Sequence, residues 1–200
     1  MKYLWLIVFT IVFVWSGIEP KDRLTWALEV APAVIGLGVM AYTYKSFRLT
    51  SLLYVLILIH CVILMVGGHY TYAEVPLFEY LKEPLGFTRN NFDKLGHFAQ
   101  GFIPAMVARE VLVRKSVIPH AGWRDFFILS FCLALSAFYE IIEWWVALAS
   151  GESAEAFLGT QGYIWDTQSD MWIALIGAVV ALLMLSRLHD RQLAEINKLS

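Results

Sequence analysis

Asn91-Phe92-Asp93-Lys94-Leu95-Gly96-His97-Phe98-Ala99-Gln100-Gly101-Phe102 sets an acid, a base and a histidine at the mouth of an otherwise apolar segment that runs to about Val113. Asp93 and His97 are four residues apart, so on a helix they lie one above the other on one face. Ionisable groups in an apolar helix are costly without partners, and the candidates lie downstream. Glu140 and Glu143 occur in one apolar segment, and Asp166 and Asp170 at the head of the next.

The setting for these groups is a membrane. The chain of 200 residues is 59% hydrophobic and 16% charged, with a mean hydropathy of +0.63. Soluble domains carry about 25% charged residues. A spanning helix needs ~20 apolar residues, and several runs meet that length. Net charge is −2 with dispersed basic residues, which excludes a nucleic-acid surface. Cys61 and Cys132 each sit inside an apolar run, where a thiol packs as a small apolar group. The expected architecture is an all-α, polytopic bundle of about six transmembrane helices forming one integral domain.

The expected spans are about 3–18, 24–44, 49–68, 92–113, 125–149 and 164–188. The first follows Met1-Lys2 as a signal peptide would, but Trp5 and Trp15 bracket it without a clear small-x-small cleavage site, so it reads as retained. Pro32, Gly36 and Gly38 in the second span predict a mild kink and close helix approach. The connection 71–91 holds Pro76, Pro84 and Gly86 among Phe78, Tyr80, Leu81, Leu85 and Phe87, a composition that lies on a membrane surface. Trp144-Trp145 suits an interfacial belt. The stretch 150–163 reads as a small-residue loop and 189–200 as a short mixed-charge tail.

With six spans both termini share a side. A cytoplasmic N-terminus puts ten of the 15 basic residues inside and Lys21, Arg23, Lys82, Arg89 and Lys94 outside, so the positive-inside bias predicts cytoplasmic termini. In that orientation His69, Asp93, His97, Glu140, Glu143, Asp166 and Asp170 all fall near the outer face. Independent placement would scatter them over both halves, and this convergence is the main functional signal.

Each group also has a bland reading. Asp93 with Asn91 can cap its helix, and Asp166 can cap the last one. Glu143 beside the tryptophans can be merely hydrated; Glu140, a turn deeper, has less access to water. His69 sits at a loop edge. His60 and Gln100 suit interhelix hydrogen bonds, and Arg109-Glu110 suits a surface pair. Gly177, two turns beyond Asp170 on the same face, marks a close helix contact. Read functionally, Glu140 and Glu143 at i, i+3 project inward as bundle ligands do, and two close carboxylates need a proton or a cation between them. Asp93, His97, Glu140, Glu143, Asp166 and Asp170 form the candidate metal set, with Glu140 and His97 the candidate acid/base residues. Carboxylates with histidine suit Zn²⁺, Mn²⁺ or Fe²⁺, and Mg²⁺ or Ca²⁺ if the histidine stays out. The chain has no H-E-x-x-H, no G-x-S-x-G and no Gly-rich phosphate loop.

The blocks Asp93-Lys94-Leu95-Gly96-His97-Phe98, Tyr139-Glu140-x-x-Glu143-Trp144 and Gly159-Thr160-Gln161-Gly162…Trp165-Asp166-Thr167-Gln168-x-Asp170 resemble those of YjdF-type inner membrane proteins over essentially the whole chain. That resemblance implies a bacterial cytoplasmic-membrane location and no established activity. Over about 92–187 the chain is more distantly similar to VanZ-like membrane proteins, with Ala174 where their Asp-x-x-x-Asn-x-x-Gly block has a polar residue and Glu143 where they tend to have Gln.

Three functions stay open at this point. One is a metal- or carboxylate-dependent membrane enzyme acting on a lipid or lipid-linked envelope substrate, with Glu140 or His97 as acid/base. Another is a structural or accessory protein whose polar cluster locks the bundle. The third is a cation or proton-coupled carrier.

Overall fold

The computed structural model describes residues 2–150 and 160–199, and these form helices and connections with no strand among them. The helices are α1 (Lys2–Gly17), α2 (Arg23–Thr43), α3 (Ser51–Tyr70), α4 (Pro76–Lys82), α5 (Phe92–Arg114), α6 (Ala121–Ser150) and α7 (Asp166–Leu199). Of the predicted loop 150–163, residues 151–159 lie outside the described residues, as does Gly159 of the third motif block.

A helix occupies each of the six expected places. Four of them, Arg23–Thr43, Ser51–Tyr70, Ala121–Ala149 and Asp166–Ile196, are long and apolar enough to cross a membrane. The others differ for physical reasons: α1 has 16 residues, and α5 carries Asp93, Lys94, Arg109, Glu110 and Arg114 within 23. α4 is a single short helix in the 71–91 connection, with Leu77, Tyr80, Leu85 and Phe87 exposed in and beside it. The predicted tail is helical instead. Leu188-His189-Asp190-Arg191-Gln192-Leu193 continues α7, and His189 and Leu193 are buried.

α5 against α7 is the closest helix pair. A Cβ on Gly101 would lie 1.7 Å from the Ala174 carbonyl oxygen, and one on Gly177 2.2 Å from that of Phe98. Ala105, Ala174, Ala178 and Ala181 are fully buried beside them. Small residues four apart on both helices let the backbones touch, so the contact predicted for Gly177 is present. The Ala174 backbone lies directly against Gly101, and Ala174 is fully buried. By contrast Gly36 and Gly38 have nothing within 4 Å of an added Cβ and make no close approach.

The centre of the bundle is largely apolar. Leu53, Ala105, Met106, Ile128, Cys132, Ala178 and Ala181 are fully buried together, and Trp5, Phe9, Val30, Ala33, Cys61 and Met65 join α1, α2 and α3. Cys61 and Cys132 are free thiols in these cores, as expected. α3 ends in left-handed backbone at Thr71 and Tyr72, with φ of 60° and 54°. That conformation strains non-glycine residues by about 1–3 kcal/mol. The turn drives the Tyr72 ring between Gly67 and Gly96, where added Cβ atoms would meet it at 2.2 and 2.9 Å.

Candidate functional site

At one end of the bundle α5, α6 and α7 each turn carboxylates inward. Asp93 and His97 face inward from α5, Glu140 and Glu143 from α6, and Asp166 and Asp170 from α7, and all six are 8% exposed or less. Glu143 is thus buried rather than hydrated, although Trp144 and Trp145 beside it remain exposed at 57% and 53%.

His97 is the common member. Its Nε2 lies 3.4 Å from Asp93 Oδ1, 3.8 Å from Glu140 Oε1 and 3.9 Å from Asp170 Oδ1. Its Nδ1 lies 3.2 Å from Gln100 Oε1, so Gln100 bonds within its own helix rather than across to another. With Gln100 presenting its carbonyl oxygen, Nδ1 carries the ring proton. Nε2 is left facing three carboxylates, a position that takes a proton or a metal ion. Two sets of donors lie within 4.8 Å of one another: Asp93, His97 and Asp170, and His97, Glu140 and Glu143.

The two sets differ in charge. Lys94 Nζ bonds Asp166 Oδ1 at 2.6 Å and Asp170 Oδ1 at 2.5 Å, with Asp93 at 3.7 Å. Arg89 bonds Asp166 at 2.5 Å and lies 3.5 Å from Asp93. Asp166 therefore spends its side chain on two cations rather than on capping α7. Asn91 makes no side-chain cap either; Asn90 Oδ1 accepts from the Phe92 N–H at 3.2 Å. Neither Glu140 nor Glu143 is paired with a lysine or arginine among the described residues. Glu140 Oε1 is fully enclosed without a hydrogen-bond partner.

The loops are tied so that these groups meet. Gln161 exchanges hydrogen bonds with both backbone polar groups of Asn90, each at 2.9 Å, and Asn90 Nδ2 holds the Val75 carbonyl at 3.0 Å. That clasp brings Arg89 against Asp166 and sets Arg89 and Lys94 each 5.8 Å from the Tyr163 ring. It also gives the Gln161 motif a structural reason.

Three features of this end escape the sequence reading. Arg89 and Lys94 are ion partners of the site. Glu29 of α2 is buried and accepts from the Tyr139 hydroxyl at 2.8 Å; a lone acid in an apolar span is the signal that marks it. His69 does not join: its Nδ1 contacts the Ser16 carbonyl at 3.0 Å and its ring packs between Trp15 and Tyr70.

The opposite end corrects another expectation. Arg109 and Glu110 are not a surface pair but are 3% and 0% exposed. Glu110 accepts from Thr50 N at 3.0 Å, Thr50 Oγ1 at 2.7 Å, Arg114 at 2.9 Å and His189 Nε2 at 3.0 Å. Arg109 donates to His189 Nδ1 at 2.9 Å and to Asp190 at 2.8 Å. Since a guanidinium only donates, Nδ1 is the acceptor and His189 is the neutral Nε2–H tautomer. Polar groups thus occur at both ends. The apolar layer of Met106, Ile128, Cys132 and Ala178 separates them. His60, predicted to bond across helices, instead lines an apolar cleft.

The whole sequence bears on what this arrangement belongs to. Residues 1–191 match a family described as "Predicted membrane protein (DUF2238)". The chain belongs to this family. Inner membrane protein YjdF of Escherichia coli (strain K12) is 50% identical over 184 residues, covering 92% of this chain and 88% of that protein. With the apolar helices, this makes the DUF2238 chain a multi-pass protein of the bacterial inner membrane. The YjdF-type resemblance is thereby established, and nothing in the matches supports the VanZ-like one. No solved structure matches.

Proposed function

We propose that the His97 cluster is a divalent-cation site of a membrane enzyme that acts on the headgroup of a lipid or lipid-linked envelope substrate, in a six-span chain with cytoplasmic termini. The observation that carries it is the buried, unpartnered Oε1 of Glu140, 3.8 Å from His97 Nε2. Ligand atoms ~2.1 Å from a tetrahedral ion stand about 3.4 Å apart; Glu140 lies 3.8 Å from Nε2 and the His97, Glu140 and Glu143 donors all lie within 4.8 Å of one another, so a modest closure brings them round an ion.

Charge selects the set. Five buried carboxylates, Asp93, Glu140, Glu143, Asp166 and Asp170, gather round three basic groups, Arg89, Lys94 and His97. Lys94 already acts as a tethered cation for Asp166 and Asp170. His97, Glu140 and Glu143 are therefore the ligands of choice, with Zn²⁺, Mn²⁺ or Fe²⁺ preferred by the imidazole and Mg²⁺ less so. Such an ion polarises a phosphoryl or carbonyl oxygen and acidifies bound water. Asp93, 3.4 Å from His97 Nε2, is the carboxylate that would hold a proton beside such a site. α4 and its apolar flanks, lying on the surface at this end, support a headgroup substrate.

Elemental analysis of the purified protein tests the reading. A stoichiometric transition metal that is lost in Glu140→Gln, with folding retained, supports it; no metal in either contradicts it. A second reading has its own observation. The Arg89–Asp166–Lys94–Asp170 ion pairs already join the α4–α5 loop, α5 and α7, as a structural lock would. Under that reading Asp166→Asn, which removes the shared partner of Arg89 and Lys94, lowers the melting temperature and no metal is found.

A further inference from the structure

Away from the His97 cluster, a cleft of about 840 Å³ opens between α2 and α6 with α3 and α5 as its floor. Pro32, Gly36, Val39, Ile103, Val107 and Phe131 are among the residues lining it, and the polar ones are Thr43 and His60. Towards the His97 end the Tyr139–Glu29 hydrogen bond closes it off. Towards the other end Thr43, Phe47 and Ile118 form its mouth. Its size falls within the ~300–1,000 Å³ of pockets that hold small molecules.

The mouth is basic. The Arg114 guanidinium lies 3.9 Å over the Phe47 ring and the Lys115 ammonium 5.5 Å from it. Arg48 lines a second, smaller apolar groove of about 590 Å³ that shares Met40 with the first. Arg114 is taken by Glu110 and by the Arg48 carbonyl. Lys45, Arg48 and Lys115 are exposed, and among the described residues none has an acidic partner. An apolar cleft between helices, ringed at one membrane surface by uncompensated cations, combines the two features that recognise an anionic phospholipid.

We propose that the α2–α6 cleft binds an anionic phospholipid of the leaflet opposite the His97 site, with acyl chain against Gly36 and Val39 and phosphate at Arg48 and Lys115. The hydrocarbon fills apolar volume that the protein leaves empty, and the phosphate supplies the missing counter-charge. The site is separate from the His97 cluster and stands whether or not a metal binds there.

Two variants probe the two halves of the lipid. Arg48→Gln/Lys115→Gln removes charge at exposed positions. Gly36→Phe places a ring in the cleft from a residue whose Cβ meets nothing within 4 Å. The full chain is melted in detergent micelles doped with phosphatidylglycerol or with phosphatidylcholine of the same chains, and bound lipid is counted by native mass spectrometry. Expected are a higher melting temperature and one retained lipid in phosphatidylglycerol for the wild type. Each variant should lose at least half of that difference while melting as wild type does in phosphatidylcholine. Equal melting in the two lipids would show only generic filling of the cleft and overturn the proposal. A wild-type preference that survives in either variant would also overturn it, because the site needs both halves.

Discussion

Replacing Glu110 by alanine tests whether the far end of the bundle is an internal clamp. Four groups lose their acceptor at once: Thr50 N, Thr50 Oγ1, Arg114 and His189 Nε2. Glu110 and His189 have no solvent exposure, so water cannot take over. Breaking a buried charged network by removing one partner costs about 3–5 kcal/mol. An exposed pair costs ~0–1 kcal/mol. On the soluble-protein scale of about 2–4 °C per kcal/mol for this length, the clamp corresponds to a drop of about 6–20 °C. Tryptophan fluorescence in detergent reads it directly, since the chain has 8 tryptophans. Glu110→Gln should lie between, because an amide offers one acceptor oxygen where the carboxylate used two. A fall within ~2 °C for Glu110→Ala would refute the clamp and restore the surface-pair reading.

Other outcomes follow from contacts elsewhere. Gly101→Ala and Gly177→Ala push a methyl into the backbone of the facing helix, and overpacking costs at least about 1–3 kcal/mol; both should melt earlier and accumulate poorly, whereas Gly36→Ala and Gly38→Ala should match or exceed wild type. Asp22 caps α2 by accepting from Thr25 N at 2.7 Å, a bond that holds its carboxyl below the ordinary 3.8. Asp22→Ala should therefore lose about 0.5–2 kcal/mol at neutral pH. Because the folded-state value is depressed, that contribution is complete above pH 3.8 and fades as pH falls through the lowered value, so wild type and variant should converge in acid melts.

What the sequence discloses, and what it conceals, divides by range. Apolar runs and the i, i+4 and i, i+3 spacings are local, and they foretell the helices and the inward faces of Asp93 with His97 and of Glu140 with Glu143. A common depth for Asp166 and Asp170 follows from topology alone. Arg89 is different: it sits in a loop without periodicity, and only the Asn90–Gln161 clasp, 71 residues apart, delivers it to Asp166. Arg109 and Glu110 look like the polar end of a span because their partners Thr50 and His189 lie 60 and 79 residues away. His189 reads as tail because the apolar run stops before it, yet helix-forming residues beyond carry α7 onward. Glu29 is legible in principle, as an acid within the apolar α2.

The central claim is that His97, Glu140 and Glu143 hold a divalent cation while Arg89 and Lys94 neutralise Asp166 and Asp170. Co²⁺ titration of metal-stripped protein, followed by visible absorption, tests it most directly, because the spectrum reports ligation rather than stability. The account predicts a one-equivalent spectrum of a low-coordinate nitrogen/oxygen site that is abolished in Glu143→Gln and kept in Asp166→Asn. A titration without absorption in folded protein, or a spectrum indifferent to Glu143, would contradict it.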